Sequence, residues 1–214
     1  MHPGWRYTET MDVIPSQEDV VSLLKKTGAL RHGHFVYPNG LHANEYLQVA
    51  LAMRHYQHLK TLSVGLSRKV RSNPELRAMI DELSIVAPAG GGVPVAYGVC
   101  EALRARQVYW AEGEDENHPL HFRQYFVQRP GEKVLLVDDL FRSGRKLAAL
   151  KKLVEANGGE VVGLAVIVYQ PRPKSPSFGD IPLYYLAKLE GRYSDNAESC
   201  DLCRQGLPLD SVWI

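Results

Sequence analysis

Two adjacent carboxylates follow a short apolar run in the second half of this chain of 214 residues. The apolar run covers residues 134–137, the acids are Asp138 and Asp139, and a loop that contains Ser143 and Gly144 leads into a predicted helix. In an open α/β sheet, ligands bind beyond the carboxyl ends of the strands. Two acids at that edge can hold sugar hydroxyls or a hydrated Mg²⁺, and the start of the helix suits a phosphate group. These features favour a site for a phosphorylated sugar; the alternative is a buried strand that merely ends in two polar residues.

A glycine-rich loop upstream offers a second place for an anion. Ala89, Gly90, Gly91 and Gly92 follow the apolar run at residues 83–87 and precede another predicted helix. Glycines let backbone N–H groups approach an anion closely, and the helix adds the positive end of its dipole. The loop matches neither a P-loop nor the GxGxxG pattern, so by itself it is equally compatible with a tight turn.

The elements that must position these loops alternate between strand and helix. Strands are predicted at residues 83–87, 107–111, 134–137, 161–169 and 183–189, and helices at 93–106 and 144–156. Such alternation predicts a mainly parallel sheet with right-handed crossovers. The remaining predictions are a helix begun by the capping box of Ser16 and Asp19, extended chain at 35–52, a helix at 55–71, an acidic loop at 112–119 and a β-arm at 124–128.

Composition excludes several classes of protein. A net charge of +1 and an apolar content of 45% are ordinary for a soluble globular domain and predict neither a nucleic-acid nor a membrane partner. The sequence contains no apolar run of the about 18 residues that a membrane span requires, and residues 1–10 show no signal-peptide core. Three cysteines do not make a disulfide framework. We therefore expect a cytoplasmic protein.

Cys200 and Cys203 form a CxxC pair near the end of the chain. A structural zinc site needs four ligands, and only Cys100 and the histidines are available to complete one. The signal for a redox role is also weak, because no βαβ unit starts at this pair. The favoured interpretation is two thiols in a C-terminal turn, with metal binding left open.

Residues 134–146 also resemble the phosphoribosyl diphosphate motif of the type I phosphoribosyltransferases. Asp138 and Asp139 match the acidic pair of that motif, and Ser143 and Gly144 match the end of its loop for the ribose 5-phosphate. The other members of this loop are basic where the family has hydroxyl or small residues: Arg142, Arg145 and Lys146. These positive charges either strengthen the binding of a phosphate or fill its place.

Three further segments support the resemblance in order and spacing. The loop from Ala89 to Gly92 stands where the family binds pyrophosphate, after the first core strand. Residues 33–46 are similar to the element of orotate phosphoribosyltransferases that forms part of the base pocket, which assigns Phe35, Tyr37 and Gly40 to that pocket. Residues 109–126 resemble the stretch that leads into the family's mobile catalytic loop, where Arg123 matches a catalytic arginine.

The resemblance implies a single domain over residues 1–214 with the type I phosphoribosyltransferase fold. This is an α/β fold with a central, mainly parallel five-stranded sheet flanked by helices. A small hood from about residues 1–60 and the C-terminal tail would cover a core at about residues 61–190. The family is usually homodimeric, so a homodimer is implied.

The implied activity is the Mg²⁺-dependent transfer of phosphoribose from phosphoribosyl diphosphate to a nucleobase. Orotate is the leading base, which would give orotidine monophosphate and pyrophosphate in pyrimidine biosynthesis, and a purine is the runner-up. Asp138, Asp139 and Arg123 would be catalytic, and the acidic pair would contact the metal indirectly.

A second hypothesis is a binding or regulatory protein on the same fold with impaired catalysis. It is motivated by departures from the family pattern, namely the basic phosphate loop, Gly113 in place of a lysine, and Tyr169 and Gln170 in place of an Asp-Arg pair. That arginine reaches the carboxylate of orotate in the family, and Arg172 is the candidate to replace it here.

Overall fold

The computed structural model describes residues 14–113 and 118–212. Its helices and strands, in chain order, are α1 (Gln17–Lys26), β1 (Leu30–Val36), β2 (His42–Leu47), α2 (Ala50–Met53), α3 (Tyr56–Arg71), α4 (Pro74–Ala78), a 3₁₀ turn (Ile80–Glu82), β3 (Ser84–Pro88), α5 (Gly92–Leu103), β4 (Gln107–Ala111), β5 (Lys133–Phe141), α6 (Arg145–Ala156), β6 (Glu160–Tyr169), β7 (Leu183–Lys188), β8 (Tyr193–Ser194), α7 (Asp201–Arg204) and β9 (Asp210–Ser211).

Five of these strands form the central sheet, in the order β4-β3-β5-β6-β7. Every neighbouring pair is parallel, so the prediction of a mainly parallel five-stranded sheet is confirmed. Parallel strands that are buried on both faces carry continuous apolar runs, as the buried residues of β5 from Val134 to Val137 do. Because all five strands run the same way, the chain segments that follow β3 and β5 leave the sheet at the same edge.

Helices cover both faces of the sheet. Successive side chains of a strand point to opposite faces, so Leu135 packs in one apolar cluster and Leu136 in the other. The first cluster includes the buried faces of α1, α3 and α5, and the second includes the buried residues Leu147, Leu150 and Val154 of α6. This two-sided layering holds β3 and β5, and hence the loops after them, on a packed core.

A second, smaller sheet has the order β8-β2-β1-β9, and we call it the hood. The antiparallel pair of β1 and β2 turns at Gly40, whose φ of +79° is a conformation that L side chains rarely adopt. The short C-terminal strand β9 pairs in parallel with β1, joining Phe35 to Asp210. The hood therefore combines the N-terminal hairpin with the C-terminal tail.

Several local predictions are confirmed and others are wrong. The capping box of Ser16 and Asp19 begins α1, with both reciprocal hydrogen bonds present. The predicted extended run at 35–52 begins earlier, at Leu30, and its last residues form the helix α2 instead. The predicted helix at 93–106 ends at Leu103, because Arg104 adopts a left-handed φ of +59°.

The segment after β4 is the clearest error. No strand forms at residues 124–128; instead the ring of Phe122 stacks on Phe126 at 3.7 Å between centroids, and the Tyr125 hydroxyl donates to the carbonyl of Trp110. These aromatic contacts replace strand pairing. Part of the predicted acidic loop, residues 114–117, lies outside the described residues. Residues 1–10, where the sequence predicts no signal-peptide core, lie outside them as well.

One buried side chain at the end of β6 connects the central sheet to the hood. Gln170 is fully buried, its Nε2 donates to Oε2 of Glu45 on β2 at 2.9 Å, and its Oε1 accepts from the Tyr193 hydroxyl at 2.8 Å. Buried polar groups need such partners. Gln170 is one of the two residues that replace the Asp-Arg pair of the resembled family. In this structure it joins the hood to the central sheet.

The part of the chain that the structure describes contains no helix long and apolar enough to cross a bilayer.

Candidate active site

The acidic pair lies within β5, near its carboxyl end, rather than after the strand. Pairing between β5 and β6 continues to Phe141 opposite Tyr169, so the strand carries both acids to the edge of the sheet. Asp138 is buried and Asp139 is half-buried. Oδ1 of Asp138 accepts a hydrogen bond of 2.9 Å from the backbone N–H of Asp139. The strand and this bond together fix the orientation of the carboxylates.

The glycine loop after β3 is in direct contact with this pair. A Cβ atom on Gly91 would lie 2.5 Å from Oδ2 of Asp139, and one on Gly92 would lie 3.0 Å from Oδ1 of Asp138. Gly90 has a φ of +95°. The two loops that sequence alone singled out independently therefore meet at one edge of the sheet, and only glycine leaves room for both.

The surrounding protein only partly stabilises the negative charges of the acidic pair. Burial, and then the negative charge of Asp139, raise the pKa of Asp138 well above its usual range. Burial also raises the pKa of Asp139, while the positive charge of Lys146 acts in the opposite direction on both groups. Cations or hydroxyl donors at this place would favour the ionised carboxylates.

The loop after β5 ends in Gly144, where the backbone conformation and the close packing both favour glycine. Gly144 has a φ of +68°, and a Cβ atom there would lie 2.8 Å from Cζ of Phe141. Oγ of Ser143 accepts from the backbone N–H of Arg145 at 3.4 Å, at the start of α6. Arg145 and Lys146 are exposed, and within the described residues neither forms an ion pair with the acidic pair. Neither basic residue therefore blocks the acidic pair with an ion pair.

Arg142 belongs to this loop by its backbone, but its side chain points to the hood. Its Nη2 donates to the carbonyl of Leu47 at 2.8 Å, and the guanidinium carbon lies 5.3 Å from the centre of the Tyr37 ring. The predicted contact of this side chain with a phosphate stays a prediction, and its present neighbours are those of the hood.

Arg172, the candidate to replace the arginine of the family's Asp-Arg pair, lies near Arg142. The guanidinium carbon of Arg172 is 4.8 Å from the centre of the Tyr193 ring. Burial lowers the pKa of Arg172, and the positive charge of Arg142 contributes in the same direction. Among the described residues, the buried Nε atoms of both arginines have no hydrogen-bond partner. Guanidinium groups with unpaired N–H donors favour an anion as their hydrogen-bond partner.

Comparison with known proteins decides the family. Residues 55–181, more than half of the chain, match the family model described as phosphoribosyl transferase domain. The chain belongs to the phosphoribosyltransferase family.

Similar proteins place the match within one branch of that family. The chain is 32% identical over 193 residues to the orotate phosphoribosyltransferase of Desulforamulus reducens, covering 90% of this chain and 94% of the relative. It is also 32% identical over 194 residues to that of Thermus thermophilus, covering 91% and 100%. The crystal structure of orotate phosphoribosyltransferase from Aeropyrum pernix has the same fold, with a TM-score of 0.62 at 20% identity over 79% of this chain and 93% of that one.

The residues predicted for the base pocket lie in the hood. Phe35 and Tyr37 are buried there, and the Tyr37 hydroxyl donates to the carbonyl of Glu45 at 3.2 Å. Gly40 forms the hairpin turn next to them. The position of Tyr193 was not predictable from the sequence, because the strand β8 that carries it has only two residues and hence no periodic pattern.

The predicted catalytic Arg123 is paired with Glu112 in this structure. Its Nε donates to Oε2 of Glu112 at 2.7 Å, and both side chains are on the surface. The loop between them includes residues 114–117, which are outside the described part of the chain. A catalytic role for Arg123 therefore stays a prediction.

The contact between Gly91 and Asp139 should appear as an energetic coupling. The φ of Gly91 is −61°, which alanine also adopts, so the effect of Gly91→Ala should come from the collision with the carboxylate. We expect Gly91→Ala to lower the free energy of unfolding in the wild type and to cost less in the Asp139→Ala background, with a coupling of about 0.5–3 kcal/mol. Urea unfolding of the four proteins measures it. An equal cost in both backgrounds would contradict the contact.

The raised pKa of Asp138 predicts a pH-dependent gain from Asp138→Asn. Since the folded-state pKa exceeds the unfolded value of about 4, wild-type stability falls as the pH rises from that value through the raised one. The amide does not ionise, so the variant should have the higher unfolding temperature at pH 7 and only a small advantage near pH 4. Thermal unfolding across this range measures the difference; a difference that does not change with pH would refute the cause given.

Proposed function

We propose that this protein transfers phosphoribose from phosphoribosyl diphosphate to orotate, giving orotidine monophosphate and pyrophosphate, with Mg²⁺. The curated relatives of matching length are named orotate phosphoribosyltransferases, which supports this activity. Their length is nearly that of this chain, so the likeness is not limited to one segment.

The observation that carries the proposal is the contact of the Gly91 backbone with the carboxylate of Asp139. It places the glycine loop beside the acidic pair, and the short loop after β5 continues to the start of α6. Phosphoribosyl diphosphate has a pyrophosphate at one end, a 5-phosphate at the other and the ribose hydroxyls between them. Three features in this order therefore match the three parts of one substrate.

Each feature contributes a different interaction. The backbone N–H groups at Gly90 to Gly92 and the start of α5 would bind the pyrophosphate, because helix N-termini attract anions. Ser143, Gly144 and the start of α6 would bind the 5-phosphate, with Arg145 and Lys146 supplying exposed positive charge. Asp138 and Asp139 would accept hydrogen bonds from the ribose hydroxyls between the two anionic groups.

Catalysis would follow from position and charge. As the bond from ribose C1 to pyrophosphate breaks, positive charge develops on the sugar ring. The carboxylates of Asp138 and Asp139 hold the ring in place and stabilise that charge, and their partial burial strengthens the effect. No covalent bond to the protein is needed.

The acidic pair also fits a magnesium ion bound through water. Two adjacent carboxylates whose pKa values are raised by burial gain from a nearby cation, and oxygen is the ligand that Mg²⁺ prefers. When bound, Mg²⁺ would neutralise the charge of the leaving pyrophosphate. Asp138 and Asp139 are the residues that would hold its water ligands.

Orotate is favoured over a purine by the two arginines near the hood. Orotate carries a carboxylate, whereas the purine bases do not. Arg142 and Arg172 stand beside the buried rings of the predicted base pocket, and their Nε donors have no partner among the described residues. A carboxylate placed there would accept from both guanidinium groups and offset their mutual repulsion. Arg172 would then take the role of the arginine that the family carries at the position of Gln170.

The proposal includes a homodimer and a cytoplasmic location, as the family resemblance implies. It also includes a catalytic role for Arg123. Arg123 would leave Glu112 and bind the pyrophosphate, because the negative charge of that group attracts its guanidinium. The surface position of the Arg123 and Glu112 pair supports this, since exposed ion pairs are worth little and exchange readily.

The activity is tested by orotate consumption. With phosphoribosyl diphosphate and Mg²⁺, the wild type should consume orotate, and Asp139→Asn should reduce kcat by about 10²-fold or more because charge stabilisation is lost. Asp81→Asn, an exposed acid in the 3₁₀ turn, is the control and should keep full activity. Absorbance of orotate follows the reaction.

Three outcomes would change the conclusion. Full turnover by Asp139→Asn would remove the acidic pair from the mechanism. Consumption of adenine or hypoxanthine but not orotate would make the protein a purine enzyme. Binding of phosphoribosyl diphosphate without consumption of any of these bases would favour the regulatory alternative.

The base specificity is tested at Arg172. Arg172→Gln should raise the KM for orotate by about 10-fold or more, since a hydrogen bond to a charged group is lost, and should leave the KM for phosphoribosyl diphosphate unchanged. Arg77→Gln, on the exposed side of α4, is the matched control. An unchanged KM for orotate in Arg172→Gln would show that the carboxylate binds elsewhere.

A further inference from the structure

Four side chains of types that can bind a metal meet where the hood hairpin and the C-terminal tail come together. They are His34 on β1, His42 on β2, Cys200 at the start of α7 and Cys203 within α7. One ligand atom from each lies within 4.8 Å of all the others. None of the four contributes to the site proposed for phosphoribosyl transfer.

The distances among these atoms match one tetrahedral ion. Nε2 of His34 lies 3.1 Å from Nδ1 of His42 and 3.5 Å from the Sγ atoms of Cys200 and Cys203. Sγ of Cys203 lies 3.4 Å from Nδ1 of His42. Zinc bonds of about 2.0–2.1 Å to nitrogen and 2.3 Å to sulfur, at tetrahedral angles, give about 3.3–3.4 Å between nitrogens and about 3.6 Å from nitrogen to sulfur.

The hydrogen bonding of His34 prepares its ring for a metal. Its Nδ1 lies 3.0 Å from the carbonyl oxygen of Leu207, which can only accept, so Nδ1 carries the proton. In the neutral ring, Nε2 then presents a lone pair to His42 and the two thiols. Metal-binding histidines are commonly oriented in this way by a backbone carbonyl on the other ring nitrogen.

The donor types and their burial indicate a closed, structural site. Two thiols and two imidazoles favour zinc over magnesium or calcium, which prefer oxygen. His34, His42 and Cys200 are buried and Cys203 is half-buried, so all four ligands come from the protein. A catalytic zinc would keep a position open to water.

We propose that His34, His42, Cys200 and Cys203 bind one structural Zn²⁺ that fastens the C-terminal tail to the hood. The tail otherwise has few regular contacts: α7 has four residues and β9 has two. The ion would join the tail to both strands of the hairpin and hold β9 against β1. Because His34 precedes the buried Phe35, the same ion would stabilise the hood above the base pocket.

The zinc content of the full-length protein tests this site. Protein purified under reducing conditions, incubated with equimolar Zn²⁺ and dialysed, should retain one zinc ion per chain by mass spectrometry. Cys203→Ser should retain close to none. Cys100→Ser is the matched control, because the Cys100 thiol donates to the carbonyl of Ala105 at another place in the fold, and it should retain the wild-type amount. Wild-type protein without zinc, or equal contents in the two variants, would overturn the proposal.

Cobalt substitution of the wild type tests the ligands without a variant that must fold. Bound Co²⁺ should give the intense visible absorption of a tetrahedral ion together with a thiolate charge-transfer band. An octahedral spectrum, or a spectrum without the thiolate band, would overturn the assignment. Addition of a strong chelator should lower the unfolding temperature of the wild type and of Cys100→Ser, and an unchanged wild-type temperature would contradict the structural role.

Discussion

The close approach of the Gly91 backbone to the carboxylate of Asp139 constrains most of the surrounding structure. It requires β3 and β5 to be neighbours in register, so that the loops after them meet at one edge of the sheet. It requires glycine in the first loop, because any Cβ atom would enter the space of the carboxylate. It also requires the acids to be fixed by the strand, which continues through them to Phe141. Burial raises the pKa values of both carboxyls, and cations or hydroxyl donors beside them would favour the ionised forms.

The hood depends on different interactions. Gln170, buried at the end of β6, binds Glu45 and Tyr193, and so joins the two sheets through side chains instead of backbone pairing. The proposed zinc site would act on the opposite side, between the hairpin and the tail. The hood positions the rings of Tyr37 and Tyr193 beside Arg142 and Arg172, while the central sheet positions the glycine loop and the loop after β5. Arg142 and Arg172 themselves follow β5 and β6 of the central sheet, so the predicted base pocket combines residues of both sheets.

The parts of this structure that follow from local pattern were predictable from the sequence. Strand, loop and helix succeed one another around the triple glycine and around the acidic pair, and both loops lie where this alternation puts them. Side-chain direction was not predictable in the same way: Arg142 is adjacent to the phosphate loop in sequence, but its guanidinium contacts the carbonyl of Leu47 in the hood. The cluster around Cys203 was missed for the same reason, since His42 is 161 residues away and only tertiary structure brings them together. The predicted β-arm failed because aromatic stacking of Phe122 on Phe126 replaced strand pairing.

The most direct test of the central claim is isothermal titration of the protein with phosphoribosyl diphosphate in the presence of Mg²⁺. If the glycine loop and the acidic pair form one site, the wild type should bind one molecule per chain with micromolar affinity, and Gly91→Ala should weaken binding strongly because its side chain enters that site. No binding by the wild type at millimolar concentration, or equal affinity in Gly91→Ala, would contradict the account.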